Sequence, residues 1–269
     1  NDGKGFDPIG SFSGTFDGNG NEVSDLYIDR PSTNNVGLFG STGSTGSVSN
    51  VHLDNVSVDG RNDIGALVGN NGGQIDGSSA SGNVTGSTRV GGLIGQMGSR
   101  TVSNSYADVE VQGGSQVGGF VGEMTVGGGE ITGSFARGNV SGNGIVGGFV
   151  GQAGMYSGQF QSDVLANPHP FFSNSAFRGS DSRCKDPIQR INGVRAERMI
   201  TDANLGQSDY VSISESYASG NVGGEAGFVG KAGQVGISDS FSAGNQSNFE
   251  GKSNPREKIV EPCRGNVHE

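Results

Sequence analysis

The chain has 269 residues, of which 52 are Gly, 31% are apolar and none is Trp. This composition excludes an ordinary helical or doubly wound domain. A formal charge of −10 argues against nucleic acid and anionic membranes as partners of the whole chain, leaving cations and neutral glycans.

No apolar run approaches the roughly 20 residues that span a bilayer, so membrane insertion is not expected. The chain starts at Asn1 without a signal-like segment, and reads as a mature or excised piece. In chain order, the first predicted elements are short β-like phrases at Ile9 to Phe16 and Val23 to Ile28, divided by Asp17-Gly18-Asn19-Gly20-Asn21. Asp17, Asn19, Asn21 and Asp25 occupy positions one, three, five and nine of a calcium-type loop. Glu22 stands where an EF-hand needs Gly, and Ile28 where it needs a bidentate Glu, so turn formation is the favoured reading and calcium the one cofactor to consider.

From Val36 onward an apolar-Gly-small-apolar-apolar-Gly phrase recurs. Its copies close at Gly40, Gly69, Gly95, Gly122, Gly151 and Gly230, with spacings of 29, 26, 27, 29 and 79. Between the copies runs a second phrase, seen at Ser105-Tyr106-Ala107, Ser134-Phe135-Ala136, Ser216-Tyr217-Ala218 and Ser240-Phe241-Ser242. Gly77 to Val84 and Asn174 to Asp181 are weaker copies. Neither phrase can bury its apolar side alone, and stacking at a fixed period solves that problem. The prediction is an all-β, right-handed parallel β-helix (β-solenoid) with coils of about 26–29 residues and one irregular insertion. It would hold roughly seven or eight coils over about 35–40 Å. Alternation sends Ser105, Ala107, Val109 and Val111 inward and Tyr106, Asp108 and Glu110 outward. Tyr106, Phe135, Tyr217 and Phe241 then form an outer aromatic row, broken at Ser79, that is a candidate glycan-stacking face.

The period divides the chain into solenoid coils over 1–151, an irregular insertion over 152–213, further coils over 214–245 and a nonrepetitive capping tail over 246–269. The insertion carries Pro168, Pro170 and Pro187 and concentrates Arg178, Arg183, Lys185, Arg190, Arg195 and Arg198. Ile188 to Leu205 can include a short helix. Cys184 and Cys263 lack metal-site spacing; in an oxidising compartment they are expected to pair and pin the insertion to the tail. Four sequons, at Asn55, Asn83, Asn139 and Asn245, agree with an extracellular or cell-surface location and candidate glycosylation.

Catalysis finds little support. His52, His169 and His268 are the only histidines, no Ser sits in a nucleophile motif, and acidic residues scatter through turns. The expected function is therefore a non-catalytic surface module for adhesion, ligand binding or scaffolding, whose partners are glycans, other surface proteins or further copies of itself. A self-assembling extracellular filament subunit is the alternative, because open solenoid ends expose unpaired strand edges. A polysaccharide lyase or glycosidase is the enzymatic rival.

The repeated phrase resembles the GLUG repeat family, through Gly37-Leu38-Phe39-Gly40 and Gly92-Leu93-Ile94-Gly95. The opening residues are similar to that family's lead-in: Phe6-Asp7-Pro8-Ile9-Gly10, then Phe12-Ser13-Gly14-Thr15-Phe16-Asp17-Gly18, then Val23 to Ile28. The chain departs from the pattern at Phe120, Phe149 and Phe228, where Leu is usual, and at Ala66. The resemblance implies a β-helical region of bacterial or archaeal extracellular proteins and no catalytic residues.

Overall fold

The computed structural model describes residues 3–154, apart from 126 and 128, and the strands of 211–243 in part. Among the described residues every regular element is a β-strand. Between strands the pairing is parallel throughout, as a solenoid requires. One antiparallel bridge, Gly5 to Ile28, lies outside the strands.

A single coil can be followed from Ile94. The chain runs through Ile94–Met97, turns into Thr101–Ser103, rounds a corner into Tyr106–Gly113, and passes Ser115–Gly118 before the next coil. Ile94 then pairs with Val121, so the rise of one strand spacing takes 27 residues. Repetition yields three sheets. The first contains Ile9–Phe12, Phe39–Thr42, Val68–Asn71, Ile94–Met97, Val121–Met124 and Val146–Ala153, together with the short strands that lead into them. The second has seven short strands, from Thr15–Asp17 to Val235–Ser238, and the third runs from Glu22–Ser24 to Phe241–Ala243. Five coils follow one another without a break up to Ala153, and the strands after Val211 extend the same ladders.

The repeated glycines fall into register: Phe39 pairs with Val68 and Ser41 with Asn70, which aligns Gly40 with Gly69. The second sheet is an addition to the expected two phrases per coil. Five of its strands carry a buried inward residue, namely Val48, Ile75, Val102, Ile131 and Ile213. One apolar residue in a polar triplet gives no visible alternation, which is why the periodicity did not announce it.

The core is a set of columns along the solenoid. Phe39, Val68, Ile94, Val121 and Val150 form one; Leu53, Ala80, Ala107, Ala136 and Ala218 form another. Phe120 and Phe149 stack inside at 4.9 Å with their planes 3° apart, one strand spacing from ring to ring. Opposite the small alanine column the glycines come close. A Cβ at Gly119 would drive into the carbonyl oxygen of Gly148 and stand 3.1 Å from the Ala136 methyl, so the Phe side of the corner is wide only because the Gly side is thin.

Polar columns sit beside the apolar ones. Ser78, Ser105, Ser134 and Ser216 are buried in successive coils. Each hydroxyl accepts a backbone N–H from the coil before it, as in Ser78 N to Ser105 Oγ at 3.1 Å and Ser105 N to Ser134 Oγ at 3.3 Å. Each also donates to the carbonyl two residues back in its own coil, at 3.0, 2.7, 3.0 and 2.7 Å. The corner into this row needs a left-handed residue, supplied by Asn50 (φ 52°), Gly77 (φ 57°), Asn104 (φ 51°) and Gly133 (φ 58°), types that accept positive φ at low cost.

At the start of the solenoid the columns end in the open. Ile9, Phe16 and Val23 are 37–39% exposed, although they pair with the buried Phe39, Val48 and Leu53. Farther along the coil, Ile28 is covered: Gly5 bridges to it and Phe6 N–H donates to the Tyr27 carbonyl at 2.7 Å.

Candidate functional site on the outer face of the third sheet

The long strands of the third sheet put alternate side chains outward. His52, Ser79, Tyr106, Phe135, Tyr217 and Phe241 are successive register partners, which is the expected aromatic row with Ser79 interrupting it. Tyr106 and Phe135 stack at 4.8 Å with planes 3° apart, and Phe135 and Tyr217 at 5.0 Å with planes 10° apart. The inward partners Ala107, Ala136 and Ala218 are buried, as alternation predicts.

Ring orientation decides what the row offers. Because the rings lie face on face along the solenoid, each inner face is consumed by its neighbour; Tyr106 is exposed and Phe135 half-buried, but Tyr217 is buried at 8%, so the row meets solvent toward its Tyr106 end. A sugar ring stacks on an aromatic face, so within the row only an end ring has one to give. Tyr106 is that ring on the Ser79 side and is 37% exposed. Ser79 is itself buried and its Oγ lies 2.8 Å from His52 Nδ1, so no ring-wide slot opens where the row stops. Arg137, which the sequence reading did not single out, lies over Phe135 at 5.0 Å and donates from Nη2 to the Tyr217 hydroxyl at 3.1 Å. It sits one coil on from Asp108. The cation thus caps the row's flank and brings a positive charge beside the aromatic rings.

The calcium-type loop is engaged in stacking contacts. Asp17 Oδ1 accepts the Asn19 backbone N–H at 2.8 Å and Asn50 Nδ2 at 3.0 Å; the Asn50 bond is the chief reason its carboxyl lies below the usual range. Asn21 Nδ2 donates to the Gly18 carbonyl at 2.8 Å, and Asp25 Oδ1 accepts from Asn55 Nδ2 at 2.7 Å. Asp17 and Asp25 therefore point their acceptors at two different asparagines of the next coil. The arrangement is that of turn residues tied across coils.

Asp29 and Asp59 are register partners on the same face. Burial, then the Asp29 charge, pushes the Asp59 carboxyl above its usual range. The Tyr27 hydroxyl donates to Asp29 Oδ2 at 3.4 Å, and Tyr27 is exposed, so this pair lies on an open sheet surface.

Asn55 and Asn83 lie exposed on strands of this third sheet, and Asn139 lies exposed between Phe135–Arg137 and Val140–Gly142 of the same sheet. Asn245, Cys184 and Cys263 lie outside the described residues, as do most of the 152–213 insertion and the whole 246–269 tail.

No family model matches the chain, and no solved structure matches it. Over 102 residues the chain is 42% identical to halomucin of Haloquadratum walsbyi, a stretch amounting to 36% of this chain and 1% of halomucin. Over 81 residues it is 42% identical to a protein of Evansella cellulosilytica whose name describes it as a Gly-rich membrane protein, covering 28% of this chain and 9% of that protein. The chain thus spans a small fraction of the length of the curated relatives it matches.

Proposed function

We propose that the chain is a non-catalytic scaffold module of a larger cell-surface protein, a rigid solenoid that displays the outer face of its third sheet. The observation that carries this reading is the continuation of the core and buried serine columns through successive coils, which builds a stiff rod. The resemblance to GLUG repeats supports the extracellular address. So does similarity to two much longer proteins, one of them named as a membrane protein. The test is immunogold labelling of intact cells that express the parent chain, with incubation of the purified module on a polysaccharide panel. Surface label without new reducing ends or unsaturated products is expected; label confined to the cell interior, or released sugar products, overturns the reading.

A second reading is end-to-end assembly into a filament, for which the exposed apolar Ile9, Phe16 and Val23 of the first described coil are the supporting observation. An incoming coil would continue columns already apolar at those positions and pair the free strand edges. Light scattering and electron microscopy across a concentration series decide it: rods that lengthen with concentration and shorten in Phe16→Lys support it, and a monomer at every concentration removes it.

A further inference from the structure

We propose that Asn83 and Asn139 are N-glycan acceptors, so that the third sheet carries one column of sugar on its outer face. This rests on the surface reading above, since the modification belongs to chains that leave the cytoplasm.

The strand geometry carries the argument. In Asn83-Val84-Thr85 and Asn139-Val140-Ser141 the middle valine is a buried core residue. Within the strand Ser79–Thr85 alternation turns Asn83 and Thr85 outward together; Asn139 stands just before the strand Val140–Gly142, and it and Ser141 are both exposed beside the buried valine. Asn83 pairs with Glu110, and Val111 with Val140, which places Asn139 one coil beyond Glu110. The two asparagines thus share a column two coils apart, about 9.6 Å at the strand spacing, with room for a glycan on each. Both are exposed, and Asn83 spends no side-chain hydrogen bond on another described residue.

Asn55 supplies the contrast. It sits in left-handed conformation (φ 54°) beside a register shift in the ladder, and its Nδ2 donates to Asp25 Oδ1 at 2.7 Å. A glycan at Asn55 would replace one of the two Nδ2 hydrogens and crowd that coil-to-coil bond.

In the transfer, Nδ2 forms a bond to the anomeric carbon of a glycosyl diphosphate donor. The carbon–oxygen bond to the diphosphate breaks, the diphosphate leaves with the electron pair, and the amide loses one proton to the transferase.

The full chain is secreted, behind an added signal sequence, from a eukaryotic host that modifies Asn-X-Ser/Thr, fused to a tag bearing a sequon of proven occupancy. Peptide masses are read before and after amidase release in heavy-oxygen water. Expected are sugar masses and heavy-oxygen Asp at both 83 and 139, higher occupancy there than at 55, and loss of one glycan in each of Asn83→Gln and Asn139→Gln. An unmodified residue at either position, with the tag occupied, overturns the proposal, as does higher occupancy at Asn55. Forced secretion tests the acceptors alone, so failure here is distinct from failure of the surface reading, which the cell labelling reports.

Discussion

At the scale of single residues, the buried serine column shows how a polar group becomes necessary to a thin core. Ser105 both receives the Ser78 N–H and satisfies the Ser103 carbonyl. Replacing Ser105 with Ala strands the buried Ser78 N–H, while the Ser103 carbonyl keeps the Gly77 N–H at 3.1 Å, and should cost about 1–3 kcal/mol in urea unfolding. Gly119→Ala acts by crowding instead: the new methyl meets the Gly148 carbonyl, for a loss of roughly 1–3 kcal/mol by the same measurement. Asp59 gives a pH signature. Its folded-state pKa is raised, so at neutral pH its half-buried charge beside Asp29 works against the fold. As pH falls through the folded value, the native chain takes up the proton more readily than the unfolded chain and gains stability. Asp59→Asn should therefore raise the urea midpoint at neutral pH, with the difference from wild type disappearing in the acid range. A constant difference at both pH values would refute the assignment.

At the scale of elements, the two aromatic stacks separate core from surface. Phe120 is fully buried against Phe149, so Phe120→Ala should cost about 3–5 kcal/mol. Tyr106 stacks on Phe135 with much of its ring exposed, and Tyr106→Ala should cost only about 0.5–1.5 kcal/mol. Equal losses in thermal or urea unfolding would mean that the outer row holds the coils together as strongly as the core does. The long strands were legible in the sequence because five or more alternating positions, as in Tyr106 to Val111, reveal an inner and an outer side. The repeated glycines were legible because their spacing is itself the coil length. The second sheet was not, since Gln74–Asp76 and its equivalents in the first five coils show one apolar residue each. Ring orientation was not legible either: the row Tyr106, Phe135 and Tyr217 can be listed from sequence, but only the interplanar angles reveal that its faces are spent. Arg137 escaped notice because its partner Tyr217 lies 80 residues away.

At the scale of the whole molecule, stability is a sum over neighbouring coils, and the long excursion between Ala153 and Val211 leaves that sum intact. Ile131 pairs directly with Ile213, so the rung after the excursion lies where an uninterrupted coil would put it. Replacing residues 155–210 with a short Gly/Ser turn should therefore preserve the β-type circular dichroism spectrum and a cooperative melt; a noncooperative melt would show that the coils after 211 depend on the removed segment. The described strands stop at Ala153 and stacking resumes at Val211, and the entropy of joining two points of a chain rises only slowly with the length between them. That interval is a port. Because the ladder runs from Ile131 straight to Ile213 across it, chain inserted there leaves the pairing of the coils on either side unchanged.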